Sequence, residues 1–257
     1  MSLVALRYRD RPDLWSRLPE LFAGVWPEYN LHGDVMAGGR WERLHRDFDR
    51  YQFVLYDEEA DDVVAAARSI PVTWNGNAAD LGSGLDEAIT GSFDTYDRGV
   101  QPNVLCAIGI EVPPRHQGSG YAGRMLDEVC RGARSCGLSS VIVPVRPTRK
   151  DRYPLTPIEQ YARWTREDGT PFDPWVRLHV RHGGVIAKAI PLSSRITGSV
   201  AEWESWTGMA FPGDGDYIFP GGLAPLHIDR GRDLGSYWEP NVWIVHPTDI
   251  TAEPEGD

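Results

Sequence analysis

A continuous apolar stretch, a glycine-rich turn and an amphipathic segment, in that order, constrain the fold of this chain most. Residues 104–112 read VLCAIGIEV between flanking prolines, which is typical of a buried strand. Over residues 121–136 the apolar side chains recur at helical spacing, and Gly137 follows at a plausible C-cap position. Between them, Gly118 and Gly120 allow the backbone to turn tightly. The pattern therefore predicts a strand–turn–helix unit.

The predicted turn has the physical properties of an anion site. Its backbone N–H groups would point outward at the N-terminus of a helix, where they have no intrahelical acceptor. These donors and the helix dipole both favour negative charge at that position. A diphosphate is the group that would fit best.

Composition excludes several classes of protein. The 257 residues carry a net charge of −11 from 37 acidic and 26 basic residues, which argues against nucleic acid as a partner and mildly favours a cationic acceptor such as an amine. No apolar run reaches the length of a membrane span, and the N-terminus does not resemble a signal peptide. The three cysteines lack the spacing of a zinc site. We therefore expect a cytoplasmic protein with no membrane partner and no metal.

The segment Arg115-His116-Gln117-Gly118-Ser119-Gly120 fits the [Q/R]-x-x-G-x-[G/A] pyrophosphate loop of the GNAT superfamily of N-acetyltransferases. The strand before it and the helix after it also resemble that family. The resemblance implies an α/β (α+β) fold, with a mixed, mostly antiparallel central sheet flanked by helices. It assigns residues 1–193 to an acyl-CoA-binding domain. Residues 194–257 would be a Trp-rich C-terminal extension, packed on the same domain and contributing a last strand.

The same resemblance implies acetyl-CoA or another acyl-CoA as the donor. Backbone N–H groups of the loop would hold the pyrophosphate with added charge from Arg115, and the end of the strand would pair with the pantetheine amides. Arg146 follows a predicted strand at 139–145, where the family often carries a cofactor-touching asparagine. Its role stays open between phosphate, acceptor carboxylate and surface charge. The implied cofactor-binding set is Ile110, Val112, Arg115, Gln117, Gly118, Ser119, Gly120, Tyr121 and Arg146.

Acceptor-side residues are expected in the loop VWPEYNLHGD at 25–34, which the family uses to wall the acceptor site. The resemblance points to Trp26, Tyr29, Asn30 and His32. Packing of Trp26 in the core and an ordinary loop position for His32 are the alternatives.

Two residues are candidates for proton transfer. Glu111 lies one residue before the end of the predicted strand, on the face opposite Ile110 and Val112, and would act as general base if that face lines the cleft. His179 falls at the position of the family's tyrosine when Gly183 is aligned with the glycine that follows it, which makes His179 the candidate general acid. The alternatives are an edge charge and a polar helix residue.

Residues 146–152 contain four basic side chains and form the one clearly basic run. Such runs are usually solvated faces. Other interpretations are neutralisation of the cofactor's 3′-phosphate or of an anionic acceptor, or docking of an acyl carrier protein.

Other elements follow from local patterns, and residues 251–257 are expected to be disordered. His227 and Asp229 are separated by one residue, so in a strand both side chains could reach one metal ion, but no third ligand accompanies them. Strands are predicted at 3–8, 51–56, 62–74, 139–145, 185–190 and 241–246, and helices from residue 10, at 40–48, near 85–89, from 158 and from 174.

Three functions are compatible with these patterns. The preferred one is an acyltransferase that moves an acyl group, most simply acetyl, from acyl-CoA to a small-molecule amine by direct transfer in a ternary complex. The second is a related enzyme that uses an acyl carrier protein as donor or decarboxylates a malonyl thioester. The third is a non-catalytic acyl-CoA sensor. Acceptor identity, acyl length and oligomeric state, with a homodimer among the options, stay open.

Overall fold

The computed structural model describes residues 2–36 and 39–248. Within these ranges nine strands form one sheet, in the order β1-β2-β3-β4-β5-β9-β8-β7, with β6 also paired to β9. All neighbouring strands are antiparallel except β4 and β5. The predicted mixed, mostly antiparallel fold is confirmed. The strands are β1 (Leu3–Arg7), β2 (Phe53–Asp57), β3 (Asp62–Val72), β4 (Val104–Glu111), β5 (Ser140–Val145), β6 (Val185–Gly198), β7 (Gly215–Tyr217), β8 (Leu226–Asp229) and β9 (Leu234–Pro247).

Helices cover the sheet, and four of them differ from the sequence prediction. The helix predicted from 158 ends already at Tyr161, and the helix Val200–Thr207 was not predicted. The helix expected from residue 10 is a 3₁₀ segment, Pro12–Arg17, followed by one α-helical turn. The helix expected near 85–89 extends to Asp97. The α-helices are α1 (Leu18–Leu21), α2 (Arg40–Asp47), α3 (Leu85–Asp97), α4 (Tyr121–Ser135), α5 (Ile158–Tyr161), α6 (Pro174–Arg181) and α7 (Val200–Thr207).

Helix α4 forms the centre of the main core and confirms the predicted strand–turn–helix unit. Its buried face, which includes Met125 and Val129, packs against β2–β5. The helix ends where the N–H of Gly137, at φ +74°, donates to Arg134 and the N–H of Leu138 donates to Ala133. This pair of bonds is a Schellman motif, which satisfies carbonyls left over at a helix end. The glycine predicted as the C-cap residue therefore performs that function.

Strands β4 and β5 separate soon after they begin to pair. Their parallel register contains two residue pairs, Leu105–Val141 and Cys106–Ile142, and beyond them no other described strand pairs with β4 on the β5 side. On its other side, β3 pairs Arg68 with Gly109 and Ser69 with Ala107, which leaves Ile108 as an extra residue. Such a β-bulge bends a strand and interrupts its ladder. The sheet therefore opens at β4.

The C-terminal part continues the same sheet. Strand β6 runs through position 194, and β9 pairs with β5, β6 and β8. A second core forms around Trp203, Phe219 and Tyr237, and it includes Tyr29 from the N-terminal half. The strand predicted at 241–246 lies within β9. The predicted disorder of 251–257 lies outside the described residues.

Candidate active site

A cavity of about 790 Å³ lies where β4 and β5 separate. Residues 107–112 of β4 form one wall, and residues 143–146 form the other. Gln117 and Gly118 lie at the turn, while the loop before α2 and strands β6 and β9 complete the lining. Of the predicted cofactor and acceptor residues, the cavity is lined by Ile110, Val112, Gln117, Gly118, Arg146, Trp26 and Asn30.

The glycine turn has the backbone geometry that an anion site requires. Gly118 and Gly120 have φ values of +82° and +81°, which residues with a Cβ atom rarely adopt. The N–H groups of Gln117 and Ser119 are used within the turn, where they donate to Pro114 and His116, both at 3.3 Å. The N–H groups of Gly118 and Gly120 have no protein acceptor among residues 2–36 and 39–248. They remain available at the start of α4, as a pyrophosphate site needs.

Arg115 and His116 brace the turn from the side of β3. Arg115 Nη2 donates to Asp62 Oδ1 at 2.6 Å, and His116 Nε2 lies 2.7 Å from Asp62 Oδ2. Burial alone would raise the pKa of the Asp62 carboxyl, but the bonds from His116 and Arg115 outweigh it and lower that pKa. The positive charge of Arg115, which was predicted to face the pyrophosphate, is therefore partly neutralised by Asp62.

Glu111 lies in the cavity wall with both carboxylate oxygens engaged. It is 7% exposed, accepts a bond from Trp26 Nε1 at 2.6 Å, and forms an ion pair with Arg68. Trp41 lies over the Arg68 guanidinium, 5.7 Å from ring centroid to Cζ. Two residues that were predicted separately, Trp26 and Glu111, are thus in direct contact.

Arg68 was missed by sequence reasoning. It stands two residues from Ala66, the cross-strand partner of Glu111, and is therefore a diagonal neighbour on the same face. A residue-by-residue strand pairing would have revealed it, but the bulge at Ile108 makes that register hard to infer from sequence.

On the opposite wall, Arg146 is held in a buried network. It forms an ion pair with Glu239, and its Nη2 donates to Tyr29 Oη at 2.9 Å and to the Gly221 carbonyl at 2.7 Å. Tyr237 donates its hydroxyl to Glu239. Burial, followed by the charge of Glu239, raises the pKa of both tyrosines. The Arg146 side chain is 18% exposed and three of its N–H groups are bound inside the protein, which excludes the surface-charge role.

The predicted acceptor residues divide into two pairs. Trp26 and Asn30 line the cavity, whereas Tyr29 is 1% exposed and lies behind it in the Arg146 network. His32 lies 3.1 Å from Glu28 and stacks on Trp206 with ring centroids 4.3 Å apart. His32 is therefore directed to the surface of the C-terminal core.

The structure does not bring His179 to the cavity. Its side chain is fully buried in α6, and its Nδ1 lies 2.9 Å from His246 Nε2. Trp175, which lines the cavity, packs edge-on against it. Burial, with smaller contributions from His246 and His182, lowers the pKa of His179 to about 3. The ring is neutral at pH 7 and covered, which does not support the predicted general-acid role.

Only part of the basic run at 146–152 lies at the surface. Arg146 is in the buried network, and Lys150 is 1% exposed with its Nζ donating to the Tyr153 and Leu223 carbonyls. Burial lowers the pKa of Lys150 to about 8. Two of the four charges, on Arg149 and Arg152, remain at the surface. With Arg146 and Lys150 directed into the protein, the run offers two exposed charges, and docking of a carrier protein there stays a prediction.

Comparison with known proteins identifies the family. No protein-family model matches the chain. The arginine N-acetyltransferase avaD of Aspergillus versicolor is 31% identical over 268 residues, covering 92% of this chain and 91% of that protein. This chain belongs to the GNAT superfamily. It is a GNAT-type N-acyltransferase.

Two solved structures share the fold of this GNAT chain. The loading GNATL domain of CurA from Lyngbya majuscula has a TM-score of 0.59 at 18% identity, covering 96% of this chain and 97% of that one. The GphF GNAT-like decarboxylase in complex with isobutyryl-CoA has a TM-score of 0.56 at 19% identity, covering 97% and 100%. At these identities the likeness concerns the fold.

The residues present fit an acyl-CoA donor of a GNAT enzyme. The turn offers free N–H groups, residues 107–111 of β4 have an unpaired edge, and Ile108 has no partner in β3 or β5. A backbone N–H left free at a bulge can polarise a carbonyl as an oxyanion hole does. Within the described residues no group of three His, Cys, Asp or Glu side chains is arranged to hold a metal. None of the helices there is long and apolar enough to cross a bilayer.

Proposed function

We propose that this protein transfers an acyl group, most simply acetyl, from acyl-CoA to the amine of a small molecule in a ternary complex. One observation carries the proposal. A single cavity joins the open glycine turn, the unpaired edge of β4 and a region lined by the charged side chains of Arg68, Glu111, Arg146 and Glu239. A donor and an acceptor would therefore meet in one cavity, where positioning itself lowers the barrier.

In this reaction the acceptor nitrogen forms a bond to the thioester carbon as the carbon–sulfur bond breaks. The ammonium loses two protons overall: one goes to a base and then to water, and the other neutralises the departing sulfur. Glu111 is the carboxylate in the wall of β4, and we assign it the role of proton acceptor. Trp26 and Arg68 hold its two oxygens in place. The turn amides and the β4 edge would bind and orient the donor.

Arginine is the first acceptor to test. The relative from Aspergillus versicolor is an arginine N-acetyltransferase, and this chain matches nearly all of it. Both carboxylates and guanidinium groups line the cavity, which suits an acceptor that itself carries charges of both signs. The net charge of −11 would favour approach of a cationic molecule.

The test is thiol release from acetyl-CoA in the presence of arginine, agmatine and an arylalkylamine, with the product identified by mass spectrometry. We expect arginine to gain one acetyl group. Binding of CoA in a calorimeter without thiol release from any amine would overturn the proposed transfer reaction. Failure to bind CoA would overturn the assignment of the turn as well.

A further inference from the structure

Two polar residues face each other on the wall of the cavity formed by β5 and β9. Val145 of β5 is paired with Val242 of β9, so the next positions outward, Arg146 and Asn241, lie opposite one another. Side chains at opposite positions of an antiparallel pair share a face, with Cβ atoms about 5 Å apart. Both residues line the cavity, and Glu239 lies two residues along β9 on the same face.

The Arg146 guanidinium is immobilised with part of its donor capacity unused. A guanidinium carries five N–H groups. The Nε N–H donates to Glu239, and the two N–H groups of Nη2 donate to the Tyr29 hydroxyl and the Gly221 carbonyl. Nη1 has no protein partner among residues 2–36 and 39–248. Its two N–H groups are therefore positioned for a ligand.

Asn241 provides an independent observation. The residue is 3% exposed and lines the cavity, yet its amide has no hydrogen-bond partner within the described part of the chain. Polar side chains with so little exposure are almost always hydrogen-bonded, and the open space beside this amide is the cavity. An amide in this position indicates a ligand that supplies the missing bond.

The charge on this wall favours an anion. Lys150 lies behind this wall rather than on it, with its Nζ on the Tyr153 and Leu223 carbonyls, but it is within electrostatic range of Glu239. Two cations, Arg146 and Lys150, therefore act on the one carboxylate of Glu239. At neutral pH most Lys150 side chains are protonated, because burial lowers the pKa only to about 8. An unbalanced positive charge away from bulk water is stabilised by a nearby anionic group.

The position of this pair indicates the acceptor rather than the donor phosphates. The neighbours of Asn241 and Glu239 in the sheet are Ile190 and Ser194 of β6, and the loop carrying Asn30 lines the same cavity. The glycine turn before α4 belongs to the other wall. We propose that Arg146 Nη1 and the Asn241 amide bind a carboxylate of the acceptor, so that the acceptor is an amino acid with a free α-carboxylate rather than a decarboxylated amine. The inference rests on the proposed function for the transfer itself.

Arginine, argininamide and agmatine test this directly, since all three keep an amine and a guanidinium while the last two lack the carboxylate. Binding to the enzyme–CoA complex is measured by calorimetry, and kcat/KM is measured by thiol release from acetyl-CoA. Loss of hydrogen bonds to a charged group predicts that argininamide and agmatine bind about 10- to 100-fold more weakly than arginine. Equal or tighter binding of argininamide would overturn the inference.

Variants of Asn241 test whether this residue causes the preference for arginine, and they leave the Arg146 side chain in place. Asn241→Asp keeps the side-chain shape and places a negative charge beside the carboxylate site. We expect it to reduce the preference for arginine over argininamide at least about tenfold by like-charge repulsion, with CoA affinity unchanged. Asn241→Leu, which removes the polar group alone, should give a smaller loss in the same direction. Thermal unfolding checks that both variants fold.

The outcomes separate the two proposals. If the enzyme–CoA complex binds arginine in preference to argininamide but transfers no acetyl group, the transfer function fails and the carboxylate site stands. If argininamide is acetylated as efficiently as arginine, the function stands and the carboxylate site fails. If Asn241→Asp weakens CoA and both acceptors equally, Asn241 serves the donor or the fold, and the inference is wrong.

Discussion

The two ends of the cavity are built in different ways. The end that we assign to the donor comes from one contiguous stretch, residues 104–123, and the groups it offers are mainly backbone N–H groups. The end that we assign to the acceptor draws its side chains from positions as far apart as Trp26, Glu111 and Asn241. Its charged groups are held as two ion pairs, Arg68–Glu111 and Arg146–Glu239.

The difference determines what substitution can do at each end. A backbone donor is lost only when the main chain changes conformation, so glycine positions should dominate the donor end. A side chain held by buried partners fails when any partner is removed, because the remaining charge is left unpaired. The acceptor end should therefore be more sensitive to changes of polar residues, and the donor end to changes of glycine.

The largest effect is expected at Glu111. Glu111→Gln keeps the shape and still accepts the Trp26 N–H, but it cannot take a proton from the ammonium. General base catalysis predicts a fall in kcat of about 100-fold or more, with unchanged CoA affinity, measured by steady-state kinetics and calorimetry. Glu128→Gln, which removes a surface ion pair with Arg131, is the control. An unchanged kcat for Glu111→Gln would reduce Glu111 to a structural partner of Arg68.

The next effect is at the donor end. Gly120→Val should weaken CoA binding about 100-fold, because a residue with a branched side chain leaves the left-handed conformation that aims the turn amides, and several charge-assisted bonds are lost together. Calorimetry with CoA measures the loss.

The control for this change is Gly169→Val. Gly169 has φ +76°, close to the value at Gly120, and a Cβ added at either glycine would meet no other atom within 4 Å. The backbone cost should therefore be similar at the two sites, about 1–2 kcal/mol. Equal loss of CoA affinity in both variants would show a general effect of instability and would remove the turn from the donor site.

Sequence patterns predicted the strand–turn–helix unit at the proposed donor end because its determinants are local. The strand, turn and helix follow one another, and a helix N-terminus after two glycines has its donor geometry whatever lies around it. The C-cap at Gly137 was predicted for the same reason. The bulge at Ile108 was not predicted, because it depends on how β3 is registered against β4.

The acceptor end could be predicted only in part, because its contacts are long-range. Glu111 and Trp26 were singled out, but their contact, and the participation of Arg68 and Glu239, depend on strand pairing across the sheet. One signal was available: Glu239 and Asn241 alternate within the apolar strand β9, which indicates two polar side chains on one face. His179 shows the reverse error, since alignment to a motif position does not reveal that α6 directs the ring into the core.

The buried histidine provides a smaller effect, on stability. The pKa of His179 is lowered to about 3, whereas in the unfolded chain it is near the ordinary value of about 6.5. Between these values the unfolded state binds a proton that the folded state does not, so stability falls as the pH decreases below about 6.5. At pH 5 the loss is about 2 kcal/mol.

Urea unfolding at pH 7 and pH 5 measures this difference. In His179→Leu most of the difference of about 2 kcal/mol between the unfolding free energies at pH 7 and pH 5 should disappear. His227→Gln, at a surface site beside Asp216, should keep this difference. The kcat of His179→Leu at pH 7 should stay within about twofold of the parent, since the ring does not reach the cavity and only a directly acting acid contributes to the rate. A loss of kcat far exceeding that would restore the general-acid role.

The smallest effect distinguishes a positioning residue from the proton acceptor it holds. Trp26→Phe removes the N–H that donates to Glu111 Oε1 but leaves the Arg68 ion pair. Loss of one hydrogen bond to a charged group predicts about a tenfold decrease in kcat and a destabilisation of about 1–2 kcal/mol. The pH profile of kcat should also shift, since the environment of the carboxylate changes, whereas Trp41→Phe, which alters only the ring over Arg68, should leave that profile in place. If both variants raised the KM for the acceptor without moving the profile, the two tryptophans would act as walls of the acceptor site, and Trp26 would have no part in holding Glu111.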